Sequence, residues 1–183
     1  IIFAGLSGNL LKSDNGGKDW RRVLAVRGRL RNVNDLAMDK DNSFLVYAAT
    51  DNGLYRSNNS GGHWERIFRG KNDQENQCTS LGISAELILV GTKAGLFVSR
   101  DNGRSWHKQE MGLGGRGIFN IDFSPGEKII IYLAAENGVF KSSDNGQSWE
   151  NIFMELTWQK ADQEFLAQED EYSVTGQLSN LFI

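Results

Sequence analysis

Short apolar runs rich in Ile, Val, Leu and Phe recur along the first 153 residues, each bounded by Asn-Gly or Gly-rich clusters. Runs of this length and punctuation predict β-strands rather than helices. The clearest unit contains strands at 34–38, 44–49, 53–57 and 64–68, here termed a, b, c and d. The next two units place them at 80–84, 87–92, 95–99 and 106–108, and at 120–123, 128–134, 138–142 and 149–153. Residues 1–5, 9–13 and 20–24 read as b, c and d of a further unit.

The connections agree with this pattern. Between b and c stand Asp51-Asn52-Gly53, Lys93-Ala94-Gly95 and Glu136-Asn137-Gly138, with Gly where a tight turn requires positive φ. In the first unit Asn9 fills that slot and is expected to take the left-handed conformation itself. Between c and d the same motif appears four times. It reads Ser13-x-Asn15-x-Gly17-x-x-Trp20, Ser57-x-Asn59-x-Gly61-x-x-Trp64, Ser99-x-Asp101-x-Gly103-x-x-Trp106 and Ser142-x-Asp144-x-Gly146-x-x-Trp149. The tryptophans are 44, 42 and 43 residues apart. Such a period, with four strands per repeat, predicts an all-β fold: a β-propeller of four-stranded blades buried by stacking on their neighbours.

The motif is expected to work as a turn clamp. Its Asp or Asn bonds backbone amides two residues on, Gly supplies the left-handed residue, and Ser adds a second local bond. Trp opens strand d, buried against its own or an adjacent blade, with an acceptor for its indole N–H. Local bonding consumes the groups that chemistry would use, so these sixteen residues are read as structural.

The four copies resemble the Asp-box, or BNR, repeat of sialidases, xyloglucanases, sortilin-type receptors and photosystem assembly factors. The resemblance runs from residue 1 to about 153, with Asn15 and Asn59 in place of the Asp in two copies. It implies a propeller and leaves activity open, since that family includes enzymes and binders. It also implies an extracytoplasmic location, periplasmic or secreted.

One propeller domain, or a fragment of one, is expected over 1–183, with repeats ending near residues 24, 68, 108 and 153. Residues 154–176 form a long insert in which Trp158, Ala161, Phe165, Leu166 and Tyr172 recur near helical spacing among acidic residues. Residues 177–183 then read as the inner strand of a further or closing blade. Either the two ends complete one shared blade, or the chain is a segment of a larger array; the second fits better because four blades is the tight extreme.

Composition narrows the partners. A net charge of −3 argues against general nucleic-acid affinity, and no apolar run reaches membrane-spanning length. Cys78 is the only cysteine, and His63 and His107 flank box tryptophans at different phases, so no metal site or cofactor is expected. The stretch 112–117 matches G-x-G-x-x-G but leads into a strand where a dinucleotide site requires a helix. Asn58-Asn59-Ser60 is a glycosylation sequon inside a box turn.

In a propeller the d-to-a and b-to-c connections share one face, opposite the boxes. On that face the sequence places Arg27, Arg29 and Arg31 in the first d-to-a loop, Arg69 and Lys71 in the second, Arg116 in the third and Lys93 on a b-to-c turn. With Trp158 in the insert, these form the candidate surface for a protein partner or an acidic or glycan ligand. Asp73 and Glu75 in the second loop are expected to balance part of the charge. The function expected is therefore a non-enzymatic interaction or assembly scaffold.

The alternative is a glycoside hydrolase or carbohydrate binder, which requires two carboxylates facing one cleft. Asp51, in a segment similar to one carrying a catalytic Asp in xyloglucanases, and Glu136 in the corresponding turn are its candidates. The four equivalent positions hold Ser7, Asp51, Lys93 and Glu136, which is the variation of an exposed turn without shared chemistry. The Arg-Ile-Pro motif of sialidases is missing, since the sole proline, Pro125, follows Ser124.

Overall fold

A computed structural model describes residues 1–84, 87–110, 115–124 and 129–153. The insert with Trp158, residues 177–183, Pro125 and residues 112–114 of the glycine-rich stretch 112–117 lie outside the described residues. The chain folds into four antiparallel sheets in sequence order. The first holds β1 (Ile2–Leu6), β2 (Asn9–Ser13) and β3 (Arg21–Ala25). The second holds β4 (Val33–Met38), β5 (Val46–Thr50), β6 (Gly53–Ser57) and β7 (Glu65–Phe68). A helical turn, α1 (Asp73–Asn76), leads to β8 (Cys78–Ser84), β9 (Leu87–Thr92), β10 (Gly95–Ser99) and β11 (His107–Lys108). The last holds β12 (Ile118–Phe123), β13 (Ile131–Ala135), β14 (Gly138–Ser142) and β15 (Glu150–Phe153).

These are successive blades of a β-propeller. The inner strands β4, β8 and β12 pack side by side, and each has a bulge between its first and third residues. Hydrogen bonds cross from one inner strand to the next: Leu81 N–H donates to Asp35 Oδ2 (2.8 Å), and Thr79 Oγ1 donates to the Ile118 carbonyl. Alternate residues of each strand b face opposite neighbours. Tyr47 and Ala49 join Ile88 and Val90 in one core, while Leu87 and Leu89 join Ile131 and Leu133 in the next. Each fully buried Leu or Ile there contributes about 1.5–3 kcal/mol, so the hydrophobic core of this fold lies between blades.

Several boundaries differ from expectation. The strand expected at 44–49 begins at Val46, because Asp39 Oδ1 accepts from the amides of Asp41 and Asn42 and holds 39–45 in a turn that leaves Phe44 exposed. The strand expected at 128–134 is described from Ile131. Each box tryptophan precedes strand d instead of opening it. Asn9 is not left-handed; Gly8, one residue earlier, takes φ +83° and makes the turn. Gly53, Gly95 and Gly138 do adopt positive φ, as their slot requires.

The box turn uses its residues with a longer reach than expected. In all four copies the buried Ser Oγ accepts the amide of the box Gly at 2.8 to 2.9 Å and donates to the Asp or Asn Oδ1. That Oδ1 accepts the amide four residues on, from Asp19, His63, Ser105 and Ser148, where two residues on was expected. Two consecutive left-handed residues result: Gly16-Gly17, Ser60-Gly61, Asn102-Gly103 and Asn145-Gly146. A Cβ on Gly103 would also stand 2.8 Å from Ile67 Cδ1 of the preceding blade.

Three of the four box tryptophans reach backward along the array. The Trp106 indole donates to the Ile67 carbonyl (2.9 Å) and its ring meets Phe68 edge-on at 5.0 Å, while Trp64 meets Phe3 edge-on at 6.4 Å. Trp20 donates only to its own turn, at Gly17. The buried indole nitrogens of Trp64 and Trp149 have no acceptor among the described residues, so the expected indole bond forms in two boxes of four. Arginines add a second link between blades. Arg56 donates to the carbonyl of left-handed Asn102, and Arg100 donates to that of Asn145, both at 2.7 Å.

The clamp is pH-sensitive in the two boxes that carry Asp. Hydrogen bonds from Ser105 to Asp101 and from Ser148 to Asp144 lower both carboxyls to about 2. A folded pKa below the unfolded value contributes stability that is present above about pH 4 and lost as pH falls toward 2. Asp35 acts in the opposite sense, because burial raises its pKa. A comparison of variants therefore isolates the boxes. Urea midpoints of Asp101→Asn/Asp144→Asn should fall less steeply than wild type between pH 4 and 2, bringing those boxes to the non-titrating state of Asn15 and Asn59.

Candidate functional site on the loop face

The b-to-c turns and d-to-a loops meet on the face opposite the boxes. Thr50 Oγ1 accepts the Asn52 amide and donates to the Gly53 carbonyl, closing the turn that presents Asp51 and Asn52. Thr92 does the same for Lys93-Ala94. Asn52 then ties the turn to its surroundings: Nδ2 donates to the Arg27 carbonyl and Oδ1 accepts from Arg66.

The second loop is more ordered than its sequence suggested. Asn72 caps α1 by accepting the Glu75 amide, and Asn76 Oδ1 accepts from Gly70. Glu75 turns inward and is buried. The Lys71 amide (2.8 Å) and then the Lys108 ammonium (3.4 Å) hold its carboxyl below the usual glutamate range. Glu75 is therefore paired with Lys108, and of the rim cations the charge of Lys71 also acts on it. The signal that could have found it was Asn72-x-x-Glu75, a helix-capping pattern.

A pocket of about 310 Å³ opens between these loops. Arg27, Arg29 and Leu30 line it from the first loop, Asp51 and Asn52 from the turn, and Asp73 from the second loop. The structure thus brings two of the seven candidate cations together with Asp51. Arg31 turns toward the first blade, where its carbonyl accepts the Gly8 amide and its side chain lies over that glycine. Arg69 and Lys71 are exposed on the second loop. Lys93 and Arg116 are exposed on the next turn and loop, which approach each other at Ala94 and Gly115. Among the described residues, none of the seven forms an ion pair.

The two carboxylates of the hydrolase reading are not in one site. Glu136 is exposed, lies beside Gly117 and is not part of the pocket. Asp51 has both oxygens engaged: Oδ2 accepts the Asn32 amide (2.7 Å) and Oδ1 accepts Asn34 Nδ2 (3.0 Å). Asn34 donates onward to the Cys78 carbonyl, linking this turn to the next blade. Among the described residues, no group of three His, Cys, Asp or Glu is placed to hold a metal ion, and no helix is long and apolar enough to cross a membrane.

Comparison with known proteins defines the fold. No family model and no curated protein matches the chain. Solved structures do. An ancestral GH74 enzyme superposes with a TM-score of 0.62 at 22% identity, covering 80% of this chain and 21% of that one. The extracellular domain of a putative one component system from B. thetaiotaomicron gives 0.64 at 16%, covering 85% and 20%. YCF48 bound to D1 peptide gives 0.58 at 15%, covering 80% and 48%. This chain is a β-propeller. It spans between a fifth and a half of the length of these neighbours, which include an enzyme, an extracellular domain and a peptide-bound protein.

Beneath the loop face, Cys78 opens β8 and is fully buried, and burial pushes its thiol far above the usual cysteine range. A thiol held neutral and sealed from solvent is inert. Ellman's reagent at pH 8 should leave the native protein unmodified and titrate one thiol after unfolding in urea; prompt reaction of the native chain would mean that β8 opens.

Proposed function

We propose that this protein is a non-enzymatic Asp-box propeller serving as a protein-interaction or assembly scaffold, with its loop face docking a carboxylate-rich or phosphate-bearing partner. The observation that supports this reading is that the seven candidate cations are all exposed and without ion pairs among the described residues, with Arg27 and Arg29 together at one pocket of a net-acidic chain. Exposed guanidinium groups offer bidentate pairing to such ligands. The peptide-bound state of YCF48 supports docking on a propeller of this kind, and the extracellular domain from B. thetaiotaomicron supports an extracytoplasmic setting. Arg27 and Arg29 supply charge at the pocket rim, Arg31, Arg69, Lys71, Lys93 and Arg116 extend it across neighbouring blades, and Trp158 is the aromatic candidate contributed by the insert.

Reversing Arg27, Arg29 and Arg31 to Glu tests the proposal. A pull-down from native extract should lose the partners that wild type recovers, and raising the salt should weaken wild-type capture in the same order. Equal recovery of every partner by the two proteins would remove the rim from consideration.

One observation favours a second reading. Asp51 and Asp73 line the same pocket, and a pair of carboxylates facing one cleft is what glycoside hydrolysis requires. The engagement of both Asp51 oxygens by Asn32 and Asn34 weighs against a proton-transfer role. On a polysaccharide panel the wild type is expected to release no reducing ends. Hydrolysis that disappears in Asp51→Asn would replace the scaffold reading with the enzyme.

A further inference from the structure

The pocket on the loop face is not itself basic. Its wall carries Arg27 and Arg29 from the first loop, Asp51 from the turn and Asp73 from the second loop, so two positive and two negative groups cancel. A phosphate or a dicarboxylate entering it meets Asp51 and Asp73, and a simple cation meets the two guanidinium groups; either juxtaposition of like charges is costly. A neutral ligand leaves the four charges partly desolvated and unpaired. A ligand carrying one charge of each sign satisfies the wall.

The lining groups differ in how much of their bonding is already spent. Asp51 is held by Asn32 and Asn34, and Asn52 spans the Arg27 carbonyl and Arg66. Buried Gln77 donates from Nε2 to the Asp73 carbonyl, and its Oε1 has no partner among the described residues. The side chains of Arg27, Arg29 and Asp73 are exposed and form neither a hydrogen bond nor an ion pair among the described residues.

The first loop is shaped to bring its two arginines to the same place. Gly28, between them, adopts φ +129°, and a Cβ there would stand 3.2 Å from the Leu30 carbonyl oxygen, so this turn favours glycine. Leu30, 48% exposed, adds an apolar patch to the wall. A volume of about 310 Å³ stands at the small end of ligand pockets, which run from about 300 to 1,000 Å³.

We propose that this pocket binds a small zwitterion, a free amino acid with an apolar side chain. Arg27 and Arg29 take its carboxylate, the pairing that guanidinium groups favour. Asp73 and Gln77 Oε1 take its ammonium group, and its side chain lies on Leu30. Asp51 keeps its bonds to Asn32 and Asn34 and adds the negative charge that turns away dianions. The site stands apart from the docking proposed for the rim, because Asp73 is essential to it and an acidic partner has no use for that carboxylate.

A ligand-observed NMR titration of the purified 183-residue chain with L-leucine should show a single saturable site. L-Leucinamide, which lacks the carboxylate, and isocaproate, which lacks the ammonium group, should each bind about ten-fold or more weakly, the loss expected for one charged hydrogen-bonding group. Asp73→Asn, and separately Arg27→Gln/Arg29→Gln, should weaken L-leucine by a similar factor with an unchanged circular dichroism spectrum. Absence of saturable L-leucine binding would overturn the inference. So would isocaproate or inorganic phosphate binding as well as L-leucine, or an Asp73→Asn variant that binds normally. In pull-downs Asp73→Asn should capture the same partners as wild type, so failure of the amino-acid site and failure of the docking surface are read apart.

Discussion

Everything in this fold hangs on one buried hydroxyl per blade. The box Ser accepts the amide of the box Gly and donates to the neighbouring carboxylate or amide oxygen, and that oxygen accepts the amide four residues on. Three short bonds around a hydroxyl hold two left-handed residues in succession. For a non-glycine residue that conformation costs roughly 1–2 kcal/mol, which the bonds to otherwise orphaned amides offset. The turn so formed sets the direction of the Trp that follows and bares the carbonyl gripped by the preceding blade's arginine. Local chemistry within seven residues thereby fixes how one sheet stacks on the next.

The same economy separates the two faces. Among the described residues, the Ser and the Asp or Asn of each box are consumed in their own turn. On the loop face the b-to-c turns vary in residue but share their closure by backbone bonds: the amides of Asp51, Lys93 and Glu136 donate to Asn32, Gln77 and Gly117. The side chains at those positions are released from holding the fold, with Asp51 the exception because Asn32 and Asn34 claim it. Variation in charge from blade to blade is the expected result, and it lets one rim become basic while the chain as a whole is acidic.

Blade number, strand order and the box turns were legible in the sequence because they rest on local residue chemistry repeated in phase. Ser13 through Trp149 could be placed by spacing alone. Asn9 misled because sequence alignment matched it to the glycine slot, while the two-residue turn had another glycine, Gly8, one position earlier. Glu75 misled for a different reason. Asn72-x-x-Glu75 announces the cap, but the bond from Lys108, thirty-three residues away on the next strand, is encoded by no local pattern. The pocket was legible only in part: Arg27, Arg29, Asp51 and Asp73 could be assigned to one face, but the helical turn capped by Asn72, which holds Asp73 there, was not read.

The arginine links have a bearing on how such chains diverge. Arg56 and Arg100 grip main-chain carbonyls, so at these two junctions the polar link requires of the next blade a backbone shape rather than a particular side chain. Asn102 and Asn145 could be exchanged for glycine without removing the atom being held. A blade of this design is interchangeable with any other that makes the same turn. Duplication, deletion or shuffling of whole blades would keep this polar link while re-sorting the loops, a route by which one scaffold acquires new rims.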